Sequence, residues 1–214
     1  MYFNLHTHQK GAGIYNFRVG FNEKSPPRYQ EFSAGIHPWD IADIEIEKAY
    51  QGLETYLQWS NCVALGELGL DKNCGTDLEL QKRVLQKQID IAMQYQKKVL
   101  IIHSVKSYPE IIRLKKENDP SLIWILHGFN GGQELIKQLS QNGFYFSIGH
   151  LLLNPKSKIA QNISHIAWDR LFLESDESEV KMEHIYKEAS HKYKIEESSL
   201  AHEIEKNRSR IFSK

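Results

Sequence analysis

The sequence predicts an α/β protein of the (β/α)8 kind, a closed parallel barrel with covering helices, shortened and with abbreviated early βα connections. Three observations lead there. Eight short apolar or alternating runs, at 1–7, 14–19, 31–36, 62–67, 98–102, 122–126, 143–148 and 170–175, are mostly separated by stretches of helical periodicity. Runs such as Lys98–Ile102 are β-branched and unalternated, as in parallel strands covered on both faces. Metal-competent side chains follow the ends of these runs, where a barrel gathers its functional groups at one mouth. At 214 residues the chain is shorter than the roughly 250 typical of such a barrel, so connections must be trimmed. An open doubly wound sheet is the alternative.

Taken in order, Met1 to Thr7 runs into His6-x-His8, and the glycines of 9–13 turn the chain into the alternating run 14–19. Pro26-Pro27 excludes regular structure across 22–30, so neither early connection holds a clear helix. The run 31–36 ends in His37-Pro38-Trp39-Asp40, and 44–59 has helical spacing with Asp43 placed to cap it. Val63–Leu65 leads into Gly66–Asp71, and the longest helical pattern, 77–95, follows Gly75-Thr76 as a stop and possible cap. Helices are expected near 108–116, 133–141 and 156–163, between runs that end in His103, His127 and Gly149-His150. The last run ends in Glu174-Ser-Asp176, and helices over 178–192 and 196–211 close what reads as a single domain, 1–214.

Charge narrows the function classes. With 27 basic and 27 acidic residues the net charge is zero, which argues against a protein that coats nucleic acid or anionic membrane. The start lacks a basic-then-apolar leader, and no apolar run approaches the ~18 residues of a membrane span. Cys62 and Cys74 form no disulfide framework and no CxxC pair. The expectation is a cytoplasmic protein with no membrane association and no obligate protein partner.

His6, His8, His37, His103, His127 and His150, six of the ten histidines, follow predicted strands, as do Glu67, Asp71 and Asp176. Packing alone does not account for six, because each buried imidazole needs partners for both nitrogens. His6, His8, Glu67, His103, His127 and Asp176 offer more donors than one tetrahedral ion uses. They suit two divalent ions (Zn, Mn, Mg, Fe or Ni) with a carboxylate and a water between them. Such a pair polarises a phosphoryl or carbonyl oxygen and lowers the pKa of the water. Glu67 and Asp176 are the catalytic candidates, Asp176 binding one ion and taking the proton of the attacking water. His37, Asp71 and His150 stand behind the ligands or toward substrate; a surface histidine and a turn aspartate are the competing readings.

These landmarks resemble the TatD family of metal-dependent hydrolases, a branch of the amidohydrolase-like TIM barrels. The matching elements are F-x-x-H-x-H at 3–8, G-I-H-P at 35–38, G-E-L-G-L-D at 66–71, I-H-S at 102–104, H-G-F-N-G-G at 127–132, L-E-S-D at 173–176 and N-x-x-x-x-F at 207–212. The resemblance implies a (β/α)8 barrel that hydrolyses with divalent metals, with deoxyribonuclease activity among its members. It also implies that His6, His8 and Asp176 hold one ion, His103 and His127 the other, and that Glu67 is shared. Four positions depart from the family pattern: Asn4 for a common aspartate, Val105 for an arginine, Lys72 for a tyrosine, and Glu177-Ser178-Glu179 where a proline is usual. The departures fall on substrate-facing positions, so a metal-dependent hydrolase is the firmer expectation and a DNase the finer one.

The leading function is hydrolysis of DNA or a small phosphodiester, weakly held. Lys72, Lys106 and Arg18 are candidates to steady phosphate, and Trp39 and Phe129 to stack on a base, with packing the competing role for both rings. Hydrolysis of a small-molecule amide, lactone or phosphomonoester is the alternative. A catalytically inactive metal-binding scaffold is the third reading, disfavoured because Glu67 and Asp176 are both present.

Overall fold

A computed structural model describes residues 2–21 and 25–212. The chain is divided into two compact units, Ile14–Trp124 and Met1–Gly13 with Ile125–Lys214.

The unit Ile14–Trp124 is built on four parallel strands, β1 (Tyr15–Arg18), β2 (Phe32–Gly35), β3 (Cys62–Asp71) and β4 (Val99–Val105), adjacent in chain order. No helix lies between β1 and β2 among the described residues, so that connection is abbreviated as expected. Later connections carry α1 (Ile46–Leu57), α2 (Leu78–Gln94) and α3 (Tyr108–Glu117). Asp43 does not cap α1: the helix starts three residues later, Glu45 occupies the cap position without a side-chain bond, and Asp43 N–H closes a turn onto the Asp40 carbonyl. On α2 the cap is Asp77 rather than Gly75-Thr76, with its side chain accepting from Leu80 N–H at 3.0 Å, a contact worth about 1 kcal/mol.

β3 runs four residues past its predicted end, through the whole of Gly66–Asp71. Its glycines permit close contact with β4. A Cβ on Gly69 would lie 1.9 Å from the His103 carbonyl oxygen, and one on Gly66 would lie 2.7 Å from Ile101 Cβ. Both glycines have φ above +150°, a region closed to other residues. Gly69 pairs with His103 in the ladder, so this close approach sets where the histidine leaves the sheet.

In the other unit, the end of β5 (Ile123–Leu126), β6 (Tyr145–Ile148) and β7 (Leu171–Leu173) pair in parallel, with α4 (Gln133–Gln141) and α5 (Lys158–Asn162) between them and α6 (Met182–Tyr193) and α7 (Glu197–Phe212) after. The predicted first strand, 1–7, reduces among the described residues to one parallel bridge, Thr7 to Asp176. Leu5 N–H to Leu173 O, Asp176 N–H to His6 O and His8 N–H to Asp176 O extend it, so the segment lies along the exit of β7 without a full ladder. Seven strands are therefore found among the described residues, where eight were expected. Phe144, Phe146, Phe172 and Tyr186 fill the core. Buried Asn207, from N-x-x-x-x-F, donates to the carbonyls of Trp168 and Leu171 and fastens α7 to the entry of β7. No described helix is long and apolar enough to cross a membrane.

Candidate metal centre

In the unit Ile14–Trp124, β3 delivers Glu67 and β4 delivers His103. Glu67 Oε1 lies 2.7 Å from His103 Nδ1 and 3.2 Å from His37 Nε2. Its other oxygen accepts from Asn16 Nδ2–H at 3.2 Å, and Asn16 Oδ1 accepts from Glu67 N–H at 3.0 Å, so one asparagine on β1 clamps the residue at both ends. His37, expected behind the ligands or toward substrate, lies behind Glu67. Its Nδ1 accepts from Trp39 N–H at 3.1 Å, which puts the ring hydrogen on Nε2, facing Glu67. Burial lowers the pKa of His37 against the opposing pull of Glu67, keeping the ring neutral at pH 7. With both nitrogens committed, His37 steadies Glu67 and is not itself suited to hold an ion, although its atoms are close enough to complete a triad.

His103 sits between two carboxylates, its Nε2 lying 3.1 Å from Asp71 Oδ2. An imidazole so placed either carries hydrogen on both nitrogens or turns one lone pair to a cation. Asp71 is held by Asn73 N–H on Oδ1 and by Trp39 Nε1–H on Oδ2, each at 2.7 Å, and Gln81 of α2 pins its main chain. Burial alone would raise the Asp71 carboxyl; the hydrogen bonds from Trp39, His103 and Asn73 outweigh it and hold the pKa below the usual range.

The other unit gathers His6, His127 and Asp176, whose ligand atoms lie within 4.8 Å of one another. Asp176 Oδ1 is 3.5 Å from His6 Nε2 and 3.4 Å from His8 Nε2. These separations exceed good hydrogen bonds and match the edge, about 3.3–3.4 Å, of a tetrahedron with bonds of about 2.0–2.1 Å. Imidazole and carboxylate donors suit Zn, Mn, Fe or Ni, so this group fits a divalent transition ion. Burial would raise the Asp176 carboxyl, but His6, His8 and His127 pull it far below the usual range. Asn4, the departure beside this group, is 2% exposed. Its amide donates to Ala12 O at 2.7 Å and Ser175 Oγ at 2.9 Å and accepts from Ser175 N–H at 3.0 Å, tying the histidine segment to the residue before Asp176. A carboxylate could not make the first of those bonds.

The cationic candidates are placed otherwise. Lys72 pairs with Glu110 at 2.7 Å, and Arg18 makes a two-point pair with Asp40 while lying over the Phe21 ring. Lys106 is exposed in a left-handed turn after β4. His150 is exposed at the start of a 3-10 turn after β6. Phe129 is core, edge-on to Phe146, whereas Trp39 is 51% exposed and its indole holds Asp71. Trp39, Asp71, Asn73, Cys74 and Val105 line a cleft of about 390 Å³ without a cationic side chain.

Two residues of this chemistry escape a reading of strand ends. Asn16 sits within β1, where its only signal is a polar residue between Tyr15 and Phe17. Glu174, inside L-E-S-D, is wholly buried, with Oε1 accepting Gly128 N–H at 2.6 Å and lying 3.4 Å from His127 Nδ1. An acid directly after a fully buried strand was the available signal.

A family model for TatD related DNase matches residues 23–213. Among curated proteins, a metal-dependent hydrolase of Buchnera aphidicola subsp. Baizongia pistaciae is 32% identical over 147 residues, covering 67% of this chain and 54% of that protein. The metal-dependent hydrolase YabD of Bacillus subtilis is 26% identical over 170 residues, covering 74% of this chain and 66% of its own length. The matched part is thus less than two thirds of each relative. Among solved structures, the TatD homologue YJJV of Escherichia coli K12 superposes with a TM-score of 0.84 at 19% identity, covering 100% of this chain and 98% of that one. At that identity the likeness is one of fold.

Proposed function

This chain belongs to the TatD-related DNase family, and we propose that it is a divalent-metal-dependent hydrolase whose substrate is a phosphodiester, DNA or a smaller nucleotide, weakly held. The fold is that of a metal-dependent hydrolase with candidate metal-binding triads. The observation that carries the reading is that each unit closes histidine nitrogens on a carboxylate, His103 on Glu67 and His6 and His8 on Asp176. Bound divalent ions supply Lewis acidity and a water of lowered pKa. Asp176, beside His6 and His8, would help to hold an ion and would accept the proton of the attacking water. Glu67 is kept in ligating orientation by Asn16 and His37. His103 presents a nitrogen beside Glu67, and His127 completes the group around Asp176.

Weak holding of substrate follows from the cations. Arg18 and Lys72 are engaged by Asp40 and Glu110, which leaves the exposed Lys106 as the candidate to steady phosphate, without an arginine's fork. A second reading, a small uncharged ester or lactone, is favoured by the cation-free cleft between Trp39 and Val105. Single-stranded DNA, a chromogenic phosphodiester and a lactone, each assayed with added Mn²⁺ or Zn²⁺, separate the two. Cleavage of either phosphodiester supports the leading reading, and turnover of the lactone alone refutes it.

A further inference from the structure

We propose that Asp71, itself held by the Trp39 indole, is the carboxylate that orients the His103 ring for metal binding. The inference rests on the metal-dependent reading above.

Asp71 divides its oxygens between two tasks. Oδ1 closes the turn after β3 by accepting Asn73 N–H. Oδ2 takes the Trp39 indole N–H at 2.7 Å and faces His103 Nε2 at 3.1 Å. Both ring nitrogens face carboxylates, Nδ1 that of Glu67 at 2.7 Å; with Glu67 given over to an ion, Asp71 is the carboxylate left to hold the ring through an N–H on Nε2. A turn alone would need only Oδ1. Trp39 holds the working oxygen in place from the surface.

Asp71 acts through the ring rather than as a ligand, so it is a positioning residue.

The test titrates metal-stripped full-length protein with Mn²⁺ or Zn²⁺ against a chromophoric chelator. Asp71→Asn keeps size but supplies one oxygen: whichever way the amide turns, its NH2 meets either Asn73 N–H or the N–H groups of Trp39 and His103. Loss of such a partner weakens metal binding by about 10–100-fold, and that loss is expected here, with turnover recovering as the ion is raised. A wild-type circular dichroism spectrum of the metal-free variant separates this loss from a defect of packing, which excess metal would also relieve by mass action. If Asp71→Asn does not fold, Trp39→Phe, which removes the indole donor and keeps a smaller aromatic ring, decides, with binding weakened at least about threefold. Affinities within twofold of wild type in the folded variants overturn the inference and leave the metal reading intact. A wild-type chain that takes up no ion overturns the reading and the inference together.

Discussion

Restoring the family's aspartate at position 4 should damage this protein. Asn4→Asp removes the donor to Ala12 O and to Ser175 Oγ and sets a carboxylate oxygen against the Ala12 carbonyl, at a site 2% exposed. Two lost hydrogen bonds contribute roughly 1–3 kcal/mol. Burying a charge beside a carbonyl oxygen adds several more after relaxation, so the expected total is roughly 3–5 kcal/mol. For a chain of 214 residues, where each kcal/mol moves the midpoint by about 2–4 °C, the melting temperature should fall by roughly 6–20 °C. Thermal denaturation followed by circular dichroism reads this directly. Asn4→Ala, which loses the bonds without adding a charge, should fall between wild type and Asn4→Asp. A melting temperature for Asn4→Asp within 2 °C of wild type would refute the reasoning, since the amide would then not be fastening the histidine segment to Ser175.

Three further outcomes are expected. Gly69→Ala, whose Cβ would lie 1.9 Å from His103 O at a φ of +156°, should lose about 3 kcal/mol or more and much of its metal affinity; a wild-type melting temperature and metal affinity would show the β3–β4 contact to be yielding. Burial pushes the Cys62 thiol up to about 12, so the native protein should take up a maleimide at Cys74 alone at pH 8, and double labelling would contradict it. Because its folded pKa lies above the ~8.5 of an unfolded thiol, Cys62 contributes stability below about pH 8.5 that is lost as pH rises toward 12, a loss Cys62→Ala should abolish in pH-dependent denaturation. Lys72→Ala should leave KM for a phosphodiester within twofold of wild type, because its ammonium is engaged with Glu110; a clear rise in KM would return it to the substrate.

How far local sequence carries is visible at β3 and at the N-terminus. Apolar runs located β4, because a covered parallel strand needs little beyond continuous burial. The strand nevertheless continues three residues past its expected end at 102 and carries His103 within it. The expected strand 62–67 stops short of the end of β3 because the partner that demands its glycines, β4, lies some 35 residues later in the chain. The first segment is apolar enough for a strand, yet its hydrogen bonds begin only at Leu5, where the exit of β7 meets it. Site residues at strand ends were legible by type and position. What a ring nitrogen does was not. His37, expected behind the ligands or toward substrate, is assigned to Glu67 only when the Trp39 backbone N–H is seen on Nδ1, and Asp71 looks like a turn residue until its second oxygen is found on His103. Glu174 passed unnoticed because its partners, Gly128 and His127, come from another strand end.

Elemental analysis of the purified full-length chain, beside Glu67→Ala and His6→Ala, asks most directly whether the two clusters are metal sites. One or two transition ions per wild-type chain are expected, with loss from each variant while the fold is retained. A folded wild-type protein that carries no ion, and takes none from added Mn²⁺ or Zn²⁺, would contradict the assignment of a metal-dependent hydrolase.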